Sequence, residues 1–80
     1  MMVYPNPVHQ GSVHIWIKNA GSQGGQVQLV NMLGEVVHEK TFSSSDQRLT
    51  FNMTTDQDGV YFVKVITGKT YAITKVVKTN

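Results

Sequence analysis

The stretch GVYFVKVITGKTYAITKVVK, Gly59 to Lys78, decides how this chain folds. A nearly unbroken apolar run from Gly59 to Thr67 meets the turn Thr67-Gly68-Lys69, and a second β-rich run from Thr70 to Lys78 follows. Val, Ile, Thr, Tyr and Phe recur here at period two, and no i, i+3, i+4 apolar stripe suits a helix. Two strands about a short glycine turn read as a hairpin. The first is expected to be a central strand covered on both faces, with Tyr61, Val63 and Val65 forming one of them. In the second, two inward sets compete: Tyr71, Ile73 and Val77 against Ala72, Thr74 and Val76.

The same alternation extends toward the N-terminus. Ser12 to Lys18 places Val13, Ile15 and Ile17 on one face and Ser12, His14, Trp16 and Lys18 on the other. Gln26 to Asn31 turns Val27 and Leu29 inward, and Arg48 to Met53 does so with Leu49, Phe51 and Met53. Glu35 to Phe42 is mixed on both faces, with Val36 as its inward residue. Its Glu35, His38, Glu39 and Lys40 suit an edge strand, where charge blocks unwanted pairing. Turn chemistry separates the runs: Pro5-Asn6-Pro7, Gly21 to Gly25, Leu33-Gly34, Ser43 to Asp46 and Asp56 to Gly59. Neither proline can donate to a ladder, so Pro5-Asn6-Pro7 marks a strand boundary. Gly34 is expected to supply a positive φ in a tight turn. About seven short strands between such turns predict an all-β fold, an antiparallel β-sandwich of immunoglobulin-like shape.

Eighty residues with a formal charge of +2, 40% hydrophobic and 15% charged, make residues 1–80 a single domain. A core this small leaves little surplus after chain ordering, which disfavours a deep active site and favours an interaction role. Cysteine is absent, excluding disulfides, thiolate metal sites and a cysteine nucleophile. No run approaches the roughly 18–20 apolar residues that span a bilayer. Met1 to Pro5 lacks the regions of a secretory signal peptide. Either the chain is cytoplasmic or it is a piece excised from a larger exported protein, and the doubled Met directly before a proline-rich turn favours the piece.

No constellation for catalysis emerges. His9, His14 and His38 stand on separate segments with no ligand at metal spacing, and read as surface histidines. Asp56-Gln57-Asp58-Gly59 resembles half a calcium loop but lacks its further oxygen ligands, so a turn is the simpler reading. Ser43 to Asp46 has no nucleophile elbow, and Gly24-Gly25 opens no phosphate-binding helix. Asn52-Met53-Thr54 fits a glycosylation pattern but falls within an expected strand. No catalytic residue, metal site or cofactor is assigned. From Gly59 to Asn80 there are four lysines and no acidic residue. With Arg48 the only arginine, and Tyr61 and Phe62 on opposite faces, this is not a nucleic-acid groove. It reads as a solvated basic hairpin, or as a strand read by a protein receptor.

Three separated motifs, in order, resemble a known family. Val3-Tyr4-Pro5-Asn6-Pro7 is similar to the Tyr-Pro-Asn-Pro opening of the type A C-terminal sorting domains of the type IX (Por) secretion system. Val30 to Val37 is similar to that family's strand, Leu-Gly turn and second strand. Gly59-Val60-Tyr61, then Gly68, then Lys75-Val76-Val77-Lys78, resemble its closing Gly-x-Tyr strand and Lys-containing terminal strand. Where the family often has Leu three residues before the Gly-x-Tyr glycine, this chain has Asp56, and Met53 is expected to supply the apolar contact.

The resemblance implies a non-enzymatic signal at the end of an exported cargo protein of certain Gram-negative bacteria. The cargo would cross the periplasm, pass an outer-membrane translocon and reach the cell surface or the medium. A sortase-like peptidase would commonly remove the domain, and lipopolysaccharide can be attached to the cargo. Tyr4, Pro5, Asn6, Pro7, Gly34, Gly59, Tyr61 and Gly68 would mainly shape the fold. Lys75, Val76, Val77 and Lys78 would be recognised, by strand addition to unpaired backbone or by an acidic receptor groove. An exposed edge also opens the way to a strand-exchanged dimer in isolation. The alternative is an adhesion or carbohydrate-binding accessory sandwich, with an outward Trp16 as its sugar platform.

Overall fold

A computed structural model describes residues 1–9, 11–17, 24–43, 47–68 and 70–79. Residues 21–23 and 44–46, within the expected loops, together with Lys18 and Lys69, lie outside the described residues. Seven strands form: β1 Met2–Tyr4, β2 Ser12–Ile17, β3 Gly25–Asn31, β4 Val36–Phe42, β5 Gln47–Asn52, β6 Gly59–Thr67 and β7 Thr70–Lys78. They build two antiparallel sheets, β1-β2-β5 and β4-β3-β6-β7, packed face to face as the expected sandwich. The short β1 is an addition to the sequence reading, and β4 is an edge strand as its charges suggested.

The core lies between the sheets. Val13, Ile15 and Ile17 of β2 meet Val27 and Leu29 of β3 and Val63 and Val65 of β6, with Phe51, Met53 and Tyr61 between them. Period-two alternation makes this possible, since each strand turns one apolar set inward. Two residues join the core that alternation did not point to, Val8 and Phe42, and Val76 joins it from one of the two competing sets of the last strand. Two expected members sit differently. Val36 is 48% exposed and Leu49 is only partly buried. The reason at Val36 is a register shift against β3 between Leu29 and Val30, where Leu29 pairs with His38 but Val30 pairs with Val36. The extra residue, Val37, packs against the core instead. Beyond the bulge, His38 and Lys40 stand opposite Leu29 and Val27 and therefore face inward.

Strand β6 is central in its sheet, between β3 and β7. It is covered on one face only, contrary to expectation: Phe62, Lys64 and Ile66 on its other face are half-buried. A sandwich has two layers, so this outer set is shielded only by its neighbours on the sheet. The same register settles β7. Val65 pairs with Ala72, Val63 with Thr74 and Tyr61 with Val76, so the even-numbered set faces inward. Lys78 follows that phase and is just 6% exposed.

Candidate recognition surface

The N-terminal motif folds onto the terminal strand. Pro5 and Pro7 have no N–H, so a conventional ladder cannot run through this segment. The Asn6 side chain takes its place: Nδ2 donates to the Lys75 carbonyl at 3.0 Å, and Oδ1 accepts from the Val77 N–H at 3.1 Å. Val8 continues the pairing, donating to the Val77 carbonyl at 2.7 Å and accepting from the Thr79 N–H at 2.9 Å. A parallel bridge between Val8 and Lys78 results. His9 Nδ1 and Thr79 Oγ1 lie 3.0 Å apart. From the sequence, Pro5-Asn6-Pro7 reads as a strand boundary and a fold-shaping motif, and only the fold brings Asn6 beside residues 69 and 71 positions away.

Of the four terminal residues expected to be recognised, Lys75 is exposed, Val77 is half-buried, and Val76 and Lys78 are buried. Their edge is not unpaired, because Asn6 and Val8 occupy it from Lys75 to Thr79. Lys78 Nζ donates to the Asp56 carbonyl at 2.5 Å and lies 3.5 Å from Asp58 Oδ1. This ammonium holds the Asp56–Gly59 turn against the sandwich. Asp56 Oδ2 is 2.6 Å from His38 Nε2, and the Asp56 N–H donates to the Met53 carbonyl at 3.0 Å. The segment is a turn whose carboxylates face a histidine and a lysine. Among the described residues no group of three or more His, Asp or Glu side chains is placed to hold a metal ion.

His38 is therefore more than a solvated edge residue: its ring stacks on Phe51 at 5.7 Å as well as pairing with Asp56. His14 is half-buried, with Nδ1 at 2.9 Å from Thr50 Oγ1 and its ring 5.4 Å from that of Tyr4. Trp16 is half-buried on the outer face of the three-stranded sheet, with the Arg48 guanidinium 4.8 Å from its ring centroid. That cation occupies a face a sugar would need.

The motif glycines and tyrosine shape turns. Gly34 has φ +85° in the tip between β3 and β4, the left-handed geometry its sequence position predicted. Asn31 Oδ1 fixes this tip by accepting from the Leu33 and Glu35 N–H groups at 2.9 and 3.0 Å. Gly59 has φ +151°, a region open essentially to glycine alone, where the turn enters β6. Gly68 sits in the two-residue turn between β6 and β7. Tyr61 is buried and donates its hydroxyl to the Gln57 carbonyl at 2.6 Å. Burial, and after it the negative charge of Asp56 and Asp58, holds its phenol above the ordinary tyrosine range.

Comparison with family models matches residues 2–79 to the secretion system C-terminal sorting domain. The chain belongs to that family. It is a type IX secretion C-terminal sorting signal, a non-catalytic class of domain that is attached to a cargo protein and engages the secretion machinery. Export across the outer membrane to the cell surface or the extracellular space follows. The comparison with curated proteins finds no match. For a sorting domain, the exposed side chains are the ones a receptor can read. Beside Lys75 these include Met32 and Leu33 at the β3–β4 tip, 67% and 85% exposed, and Tyr71 and Ile73 on β7, 65% and 53% exposed. Sequence reading left Tyr71 and Ile73 undecided between two phases. The signal that finds them is the two-residue turn, which locks β7 to the phase of β6.

Proposed function

We propose that this sandwich, without catalytic activity of its own, is a folded address read in the periplasm by the outer-membrane translocon. A sortase-like peptidase then cuts it from the cargo. What supports this reading is the way the terminal strand is built into the fold. Asn6, Val8 and the Asp56–Gly59 turn all hold residues 75–79. The signal is accordingly a surface that exists only when the domain is folded, with Lys75 as the accessible member of the terminal Lys-Val-Val-Lys motif. Removing residues 75–80 would remove these tertiary contacts along with the motif, so point variants are the sharper instrument.

The test is a periplasmically exported reporter fused ahead of residues 1–80, in a host that carries the translocon and in the same host without it. The expected result is reporter on the surface or in the medium only when the translocon is present, shortened by the length of this domain. Equal release from both hosts would end the reading. Release at full length would remove the peptidase from it.

A further inference from the structure

The two edges of the sandwich at β4 and β5 are guarded, and most of the edge at β7 is not. Lys40, facing inward from β4, donates Nζ to the Thr50 carbonyl of β5 at 2.6 Å and lies 5.7 Å from the Phe51 ring. With His38 beside it, this puts charge where an added strand would lie, a recurrent protection for sheet edges. On β7, Asn6 and Val8 fill the edge from Lys75 onward. Among the described residues nothing comparable covers Thr70 to Thr74, a stretch with no charge and no proline.

The backbone direction there follows from the ladder. Val77 turns both its N–H and its carbonyl toward Asn6 and Val8. In an antiparallel pair alternate residues share that direction, so Tyr71 and Ile73 also point their N–H and carbonyl groups away from β6. Among the described residues none pairs with these four groups. The same two residues carry the exposed apolar side chains of the outer face. Ala72, although it faces inward opposite Val65, is exposed as well. Its exposure shows that no described residue of the opposing layer covers it. Among the described residues both faces and the edge are thus open at one place.

We propose that the first half of β7, Thr70 to Thr74, is a strand-addition site for an extended segment of the export receptor that carries a carboxylate. The inference rests on the sorting-signal reading. Added backbone would pair with Tyr71 and Ile73, prolonging the line of pairing that Asn6 and Val8 begin on the same edge. The carboxylate is called for by charge. Lys64 Nζ sits 4.9 Å from the Tyr71 ring centroid, Lys75 is exposed on the same face, and neither β6 nor β7 contains an acidic residue.

The same reporter fusion separates the possibilities. Ile73→Pro removes an outward N–H without breaking a bond to β6, and Ala72→Lys sets a charge on the edge while leaving the backbone intact. Ile73→Thr keeps the donor and loses the apolar surface. With wild-type residues 1–80 exported, the first two variants should each lower surface delivery about tenfold or more, and Ile73→Thr by no more than about twofold. Far-UV circular dichroism and melting establish that each variant is folded. If Ile73→Pro does not fold, Ala72→Lys decides. Wild-type-like delivery of Ala72→Lys overturns strand addition, as does an Ile73→Thr loss equal to that of the other two. If the isolated domain sediments as a dimer that Ala72→Lys dissociates, the occupant is a second copy and the receptor segment is refuted. Failure of the wild-type fusion itself would instead refute the sorting reading.

Discussion

Asn6 offers the most direct test of how the fold closes. Replacing it with alanine removes two hydrogen bonds, to the Lys75 carbonyl and from the Val77 N–H. Both are exposed to water, so each contributes toward the lower part of the usual range, about 0.5–1.5 kcal/mol. The pair sums to about 1–2 kcal/mol, and in a domain of this size each kcal/mol moves the melting midpoint by about 4–8 °C. Asn6→Ala should therefore melt about 4–16 °C below wild type, since water only partly replaces the lost partners. Amide exchange at Val77 should accelerate, because its proton loses its acceptor. Asn6→Asp separates the two bonds. The carboxylate still accepts from Val77 but sets an oxygen against the Lys75 carbonyl. Melting should fall much as in the alanine variant while Val77 stays protected. If Asn6→Ala melts within about 2 °C of wild type and Val77 exchanges no faster, the side chain is not acting as a surrogate strand.

Lys78 and Tyr61 test the other closure, at the Asp56–Gly59 turn. Lys78→Ala loses a charge-assisted hydrogen bond, about 1.5–3 kcal/mol, together with the packing of a buried stem. Lys78→Met keeps the stem and should recover part of that loss in a denaturant titration; no difference between the two would show that the stem contributes nothing. Tyr61 gives the pH dependence. Its phenol is raised in the folded state, so the unfolded chain ionises first, and the resulting stabilisation is complete below the ordinary tyrosine pKa of about 10. It is lost as pH rises through the folded value. The wild-type urea midpoint should fall more steeply than that of Tyr61→Phe between about pH 9 and pH 11. Parallel declines in the two proteins would contradict it.

Local chemistry was enough for the class of fold. Alternating apolar residues in β2, β3, β5 and β6, divided by glycine and proline turns, can bury one face only as paired sheets. The left-handed turn at Gly34 and the edge position of β4 were legible for the same reason, since both depend on residues within a few positions. What alternation could not supply is phase and partnership over distance. The bulge after Leu29 moves Val36 outward and Val37 toward the core, and nothing in the Glu35–Phe42 pattern announces it. Val76 and Lys78 became interior residues because a two-residue turn ties β7 to the register of β6.

The recognition surface divides in the same way. The order of the motifs in the chain carried the family, because a family signature is a property of sequence. Which motif residues remain accessible was decided by tertiary contacts between segments far apart in the chain. Asn6 reaches Lys75 and Val77, Asp56 meets both His38 and Lys78, and Arg48 covers Trp16. Hydrogen bonds and charge pairs act over a few ångströms of space regardless of separation along the chain. Only folding could therefore bury Lys78, expose Lys75 and leave the edge at Tyr71 and Ile73 open.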